Sequence, residues 1–401
     1  TELDDTMTKY TNITPEGMED ILFSDCEARR AIESSVIGLF KSRGFSEVIT
    51  PTLEFYDVFS NRFNAIPQEM MYKLFDGKGR ILALRSDNTM PIARLAATRL
   101  KAFAPPLRLY YNQRVFRISP SMTGRSDEFT QCGIELIGSN GLKADLEVID
   151  TAITALLGTV GENFRIELGH VGFYKAIVDN LPLGPEKTEQ LQSFIEAKNY
   201  AALHDLLAPS AQGSACCRAL MVLPRLFGGG EVFEQALAVA PNEASSRAIC
   251  YLSGLYDELC AMGLRDHILI DFGLVSQIDY YSGVVFRGFV QGSGETILSG
   301  GRYDSLLSAF GADLPATGFA VNVDAVAKAV EYTGLKRETV LLHYEKGYEK
   351  AAFERREQLI ASGTVCEMSV FETEEEAESY ARLRGMSRLD SIGAQHRIRE
   401  L

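Results

Sequence analysis

Seven polar side chains in four segments carry groups that could hold a small charged ligand. Asp87 and Thr89 lie in Leu84-Arg85-Ser86-Asp87-Asn88-Thr89. Arg117 closes Val115-Phe116-Arg117, and Gln131 and Glu135 belong to Glu128-Phe129-Thr130-Gln131-Cys132-Gly133-Ile134-Glu135. Tyr280 and Tyr281 stand in Asp279-Tyr280-Tyr281-Ser282-Gly283. Carboxylate, amide and hydroxyl oxygens accept from an ammonium group, and a guanidinium fork matches a carboxylate. Such directional groups bind selectively, because a wrong ligand leaves them unpaired. Each residue also has a plainer reading. Asp87 could cap a helix beginning near Pro91. Arg117 and Glu135 could form a cross-strand pair. Tyr280 and Tyr281 alternate along a strand, so one of them would face the core. Gly300-Gly301 could simply permit a tight turn.

The elements that must position these groups are legible from periodicity and punctuation. A helix is expected over Ser24–Arg43, with Ser24 and Glu27 as a capping box, Ala28, Ile32, Leu39 and Phe40 on one face, and Gly44 as the stop. Phe45–Thr50 reads as a strand ended by Pro51. Met71–Phe75 and Arg80–Leu84 read as a hairpin around Asp76-Gly77-Lys78-Gly79. A helix follows over Pro91–Leu100, then strands at Leu107–Phe116 and Phe129–Ile137, then a helix at Ala144–Leu157.

From about Asn180 to Asp266 apolar residues recur at helical spacing, which marks a helical insertion with Gly228-Gly229-Gly230 as a joint. Strands resume at His267–Phe272, Val284–Val290 and Glu295–Leu298. A helix is expected after Gly301 and a last strand at Phe319–Val323. Strands joined by hairpins imply an α+β fold with a mainly antiparallel sheet flanked by helices. The boundary is placed at 332/333. The 69 residues from Thr333 onward offer one strand at Val340–His343, a helix at Lys350–Ala361 and a solvated helix start at Glu374-Glu375-Glu376. They are few for an independent core.

Composition narrows the function classes. The 401 residues carry a formal charge of −14 and a sequence pI of about 5.0, so no long-range field draws polyanions and nucleic-acid binding is not expected. No run approaches the roughly 18–20 apolar residues of a membrane helix. The acidic start (Glu2, Asp4, Asp5) does not read as a signal peptide. Seven cysteines, an odd number without C-x-x-C or His/Cys clustering, fit buried free thiols in a reducing cytoplasm and predict neither metal nor cofactor.

Taken in order, the segments resemble the class II core of histidyl-tRNA synthetases over most of residues 14–330. Thr14-Pro15-Glu16-Gly17 and the helix ending at Gly44 are similar to that family's dimer-forming first motif. The stretch through Arg117, with Gly124-Arg125 and Glu128–Glu135, resembles the second motif. Gly300-Gly301-Arg302-Tyr303-Asp304 and Gly318-Phe319-Ala320 complete the set. The resemblance implies a histidine pocket. Asp87, Thr89 and Gln131 would accept from the ammonium, Arg117 would pair with the carboxylate, and Glu135 with Tyr280 or Tyr281 would bind the imidazole.

The departures imply lost chemistry. Gln277 stands where the family has an arginine serving amino-acid activation, and Ala325 where the third motif ends in an arginine. Ser119 replaces the acid two places beyond Arg117. Losing one transition-state donor commonly costs about 10²–10³ in rate. Arg117 and Arg125 keep some anion binding in reach. The tail is nearly balanced in charge and shorter than an anticodon-binding domain. This pattern is similar to the regulatory subunits of ATP phosphoribosyltransferase. The resemblance implies a chain without chemistry of its own that joins a short catalytic subunit, as homodimers in a hetero-octamer, and mediates feedback by histidine. The alternatives are a divergent active synthetase and a synthetase-like domain that senses uncharged tRNA or clamps a polymerase.

Overall fold

A computed structural model describes residues 10–401, apart from 61–62, 64–65, 120–125, 212–213, 276–279, 293, 333 and 335–337. It divides into two compact units, Thr1–Tyr332 and Thr333–Leu401. The first begins with helix α1 (Phe23–Ser42), which buries Ala28, Ile32, Val36 and Phe40 at helical spacing. Its N-cap is Leu22, with no side-chain cap. The expected capping box is therefore absent: the helix starts one residue before Ser24, which puts Ser24 inside the first turn. Gly44 takes φ +79°, a conformation that favours glycine. Of the strand expected at Phe45–Thr50, only β1 (Ser46–Glu47) pairs, at the sheet edge.

Strand β2 (Leu53–Phe55) joins the hairpin of β3 (Lys73–Phe75) and β4 (Ile81–Leu84) in a three-stranded sheet ordered β2-β4-β3. Helix α2 (Thr89–Thr98) leads to the long strands β5 (Leu107–Phe116) and β6 (Glu128–Ile137) and to helix α3 (Leu142–Val160). Strand β7 (Phe164–His170) and helix α4 (Val171–Val178) precede the insertion.

The insertion is helical, as its spacing requires. It comprises α5 (Pro185–Glu196), α6 (Tyr200–Ala211), α7 (Ala215–Val222), α8 (Val232–Val239) and α9 (Glu243–Ala261). The glycine run is not a free joint. Strand β8 (Phe227–Gly228) pairs with β9 (Ile268–Asp271), and Gly229 N–H donates to the Glu231 carboxylate at 2.8 Å.

Strands β10 (Val284–Val290), β11 (Thr296–Arg302) and β12 (Ala316–Asn322), then helix α10 (Val323–Ala329), complete the unit. The helix expected after Gly301 is corrected: β11 runs on through Arg302, and only a 3₁₀ turn, Leu306–Phe310, follows Ser305. Gly300 and Gly301 lie inside the ladder, paired with Phe319 and Gly318.

The main sheet has nine strands in the order β1-β5-β6-β12-β11-β10-β7-β9-β8, antiparallel except at β1–β5 and β7–β9. Side-chain alternation divides its two faces. Ile134 of β6 and Phe319 of β12 join the core beneath α1 and α3, where the Phe40 ring meets Phe45, Tyr110 and Phe319 at centroid distances of 6.5, 6.1 and 5.8 Å. Replacing such a fully buried phenylalanine with alanine typically costs about 3–5 kcal/mol. On the opposite face Met90, Ile92, Tyr111, Tyr280, Tyr281, Tyr303 and Leu306 form a second core. This aromatic face contains the candidate site.

The second unit holds more structure than its sequence announces. Strands β13 (Thr339–Tyr344), β14 (Val365–Met368), β15 (Arg388–Ile392) and β16 (His396–Glu400) form a sheet ordered β14-β13-β15-β16, parallel except for β16. Helix α11 (Glu349–Ala361) places Ala352 and Leu359 on Val340, Leu342 and Ile392. Helix α12 (Glu374–Leu383) places Ala377 and Ala381 on Leu341 and Leu389. Two small cores on opposite faces replace the sparse tail expected from the sequence.

Candidate functional site

The start of α2 fixes the first group. Asp87 is buried, and its Oδ1 accepts the Met90 N–H at 2.8 Å. The N-cap position itself is held by Asn88, without a side-chain cap, so Asp87 bonds the first turn of α2 from one residue upstream. Oδ2 lies 3.9 Å from Nη2 of Arg117. Burial raises the Asp87 pKa, and the Arg117 charge partly opposes that shift. Arg117 does not pair with Glu135. Its Nε donates to the Ser86 carbonyl at 2.7 Å, and its Cζ stands 5.5 Å from the centroid of the Phe129 ring. Gln131 Oε1 accepts from Asn88 Nδ2 at 3.0 Å.

Glu135 points from β6 into the aromatic face with 1% of its surface exposed. Thr89 Oγ1 donates to its Oε1 at 2.9 Å, and the Tyr303 hydroxyl donates to its Oε2. Desolvation pushes its pKa up to about 8, against the lowering effect of those two donors, and nearby Asp87 adds to the rise. Tyr280 and Tyr281 are both buried, with centroids 5.0 Å apart, and Tyr280 meets Tyr303 at 5.6 Å. The alternation argument sent only one of them inward. Both turn in because they precede β10 in a turn outside the regular pleat.

The glycines serve close approach. A Cβ on Gly318 would overlap the Glu135 carboxylate, and one on Gly301 would stand 2.7 Å from the Tyr281 ring. Tyr303 and Tyr111 belong to this constellation although the sequence reading did not assign them to the site. For Tyr303 the signal was present, since it directly follows Gly300-Gly301-Arg302. A buried network holds the neighbouring backbone: Arg302 donates to Asp145 (Nη2–Oδ1 2.8 Å), and Tyr251 of α9 donates to Asp145 Oδ2 at 2.6 Å. Ser282 N–H donates to the Arg302 carbonyl at 2.8 Å. The tyrosine turn and the end of β11 are thereby tied together.

Beside this pocket lies a cavity of about 280 Å³, whose lining includes Arg117, Phe129, Gln131, Ser299, Ala325 and Lys328. Ala325 is buried on α10, where its N–H is capped by Asn322 at 3.0 Å. Ser119 N–H donates to Asp127 Oδ1 at 2.8 Å, and the Tyr72 hydroxyl donates to Oδ2 at 2.6 Å, so Asp127 pins the segment next to Arg117. Arg125 and Gln277 lie outside the described residues.

A class II fold with a buried polar pocket of this composition defines a histidyl-synthetase-type module. Residues 17–326 match the histidyl-tRNA synthetase family model. The regulatory subunit of ATP phosphoribosyltransferase from Clostridium kluyveri is 42% identical over 386 residues, covering 95% of this chain and 99% of that protein. The Bacillus mycoides regulatory subunit is 39% identical over 91% of this chain and 88% of its own. A solved structure described as an ATP phosphoribosyltransferase regulatory subunit/histidyl-tRNA synthetase from Bacillus halodurans superposes with a TM-score of 0.83 at 31% identity, covering 96% of this chain and 98% of that one. Histidyl-tRNA synthetase from Nostoc shares the fold, with a TM-score of 0.80 at 18% identity over 98% and 95% of the two chains. The chain belongs to the family of ATP phosphoribosyltransferase regulatory subunits, built on the histidyl-tRNA synthetase core.

Proposed function

We propose that this chain is the non-catalytic partner of a short-form ATP phosphoribosyltransferase catalytic subunit, in the cytoplasm, and that it senses histidine as the feedback effector. The reading rests on one combination: the polar pocket around Glu135 is intact while Ala325 and Gln277 replace cations that an activating enzyme needs at the α-phosphate. Asp87, Thr89 and Gln131 receive the ammonium, Arg117 the carboxylate, and Glu135 with Tyr280 and Tyr281 the imidazole. Arg125 is an anion-binding candidate from its place in the second-motif segment of the sequence. The protein works without metal, cofactor or nucleic acid.

Histidine inhibits only through unequal affinity for the active and inactive assemblies, and a coupling of about 1–3 kcal/mol is ordinary. Homodimers within a hetero-octamer are the proposed assembly. The small sheet supports self-association: Leu53, Phe55 and Leu74 share one face, and each is more than two-fifths exposed.

Calorimetric titration of histidine into the purified chain and its complex tests the sensor. Saturable binding, absent for alanine, is expected. No binding would remove the sensor role. A histidine-dependent pyrophosphate exchange activity would overturn the non-catalytic reading in favour of a divergent synthetase.

A further inference from the structure

Asp87 and Glu135 are two buried carboxylates, and among the described residues Arg117 is the cation at this site, 3.9 Å from Asp87. The other groups facing Glu135 are Thr89 from α2, Tyr111 from β5, Tyr303 beyond β11, and Tyr280 and Tyr281 from the turn before β10. Burial raises the pKa of all four tyrosines, so none is charged near neutrality. Among the described residues, two ionised carboxylates would leave this buried site one negative charge in excess. Excess charge of that kind is relieved by holding a proton.

We propose that Glu135 is a neutral acid in the empty pocket and selects the ligand by handing its proton to a basic ring nitrogen. The inference rests on the histidine reading above and deepens it. Both Glu135 oxygens already accept hydroxyl protons, from Thr89 and Tyr303. In the neutral acid one of these two bonds turns round, so that the Glu135 O–H donates to a hydroxyl oxygen, and an unprotonated imidazole nitrogen is a stronger acceptor for that proton. On binding, the Glu135 O–H bond breaks, an N–H bond forms on the ring, and no proton enters or leaves the site. The ligand's ammonium balances Asp87, its carboxylate balances Arg117, and the new imidazolium balances the new carboxylate. Every charge is then paired. Tyr303 is a positioning residue in this scheme, since its hydroxyl stabilises the carboxylate that the transfer creates.

The pH profile of histidine affinity tests the proposal. Below about 6.5 the free imidazole is already protonated, so binding must release a proton and weakens about tenfold per unit of falling pH. From about 6.5 to about 8 no net proton moves and affinity is flat. Above that, binding must take up a proton and weakens again. Calorimetry from pH 5.5 to 9 on the wild-type chain and on Glu135→Gln is the experiment. Gln keeps a neutral donor but has no proton to hand over, so the variant is expected to bind more weakly than the wild type, and its remaining affinity lacks the limb near pH 8; any alkaline fall left over belongs to the ligand's own amine. A wild-type affinity that declines steadily from pH 6.5 upward would show an ionised Glu135 and overturn the proposal while the histidine reading stands. Absence of histidine binding to the wild type at every pH would overturn both.

Discussion

Gly318 lies directly opposite Glu135 across the β6–β12 ladder, so close that a single methyl group would overlap the carboxylate. A strand glycine ordinarily weakens a sheet, but here the missing side chain makes room for the buried acid. Gly318→Ala is expected to push Glu135 out of register with Thr89 and Tyr303. Overpacking costs typically about 1–3 kcal/mol. The measurable result is loss of histidine binding by calorimetry with the fold retained by circular dichroism. Unchanged affinity would mean that Glu135 does not contact the ligand.

Arg302 and Asp145 form a nearly fully buried pair that also holds Tyr251 and, through the Arg302 carbonyl, Ser282. Removing one member of such a pair leaves an uncompensated charge and costs about 3–5 kcal/mol. Arg302→Met is therefore expected to lower the urea midpoint strongly. Because Tyr281 and Tyr303 flank the network, its remaining folded fraction should bind histidine more weakly than wild type.

His170 gives a pH dependence independent of the ligand. Its Nδ1 accepts the Gly172 N–H at 3.0 Å, a role only the neutral ring can fill. Burial lowers its pKa to about 4. The folded pKa lies below the unfolded value of about 6.5, so between those values the unfolded chain binds more protons and stability falls as pH falls. The loss from this group between pH 7 and pH 5 is about 2 kcal/mol. His170→Asn, whose Oδ1 stands where Nδ1 does and can accept the same N–H, should shrink the difference in denaturation midpoint between these two pH values.

The exposed face of the small sheet makes a separate prediction. Leu74→Asp together with Phe55→Asp places charges amid Leu53 and Leu82. Sedimentation velocity should report a dimer for wild type and a monomer for the double variant. An unaltered dimer would locate self-association elsewhere.

The sequence revealed most of the first unit because its elements repeat cleanly. Phe40 falls on a helical stripe, and β5 and β6 are long, apolar and flanked by turns. It revealed less of the second unit. There β15 carries Asp390, fully buried and stabilised by Arg355 from α11, which a period-2 pattern cannot anticipate. β16 is exposed along its whole length and has no apolar alternation to announce it. At the site, Asp87, Thr89 and Glu135 stand out together through the resemblance to the synthetase motifs and have plainer readings taken singly; the structure brings them to one pocket. Tyr303 was not singled out, since its role depends on β11 continuing past two glycines that read as a turn. The inward turn of both Tyr280 and Tyr281 depends on Arg302 holding Ser282, a contact between segments distant in sequence.

Formation of phosphoribosyl-ATP by the short catalytic subunit of the same organism, with and without this chain, tests the central claim most directly. A large rise in rate on mixing is expected, reversed by added histidine in the wild type and not in Gly318→Ala. No change in rate at any ratio of the two proteins would contradict the assignment of this chain as the regulatory partner.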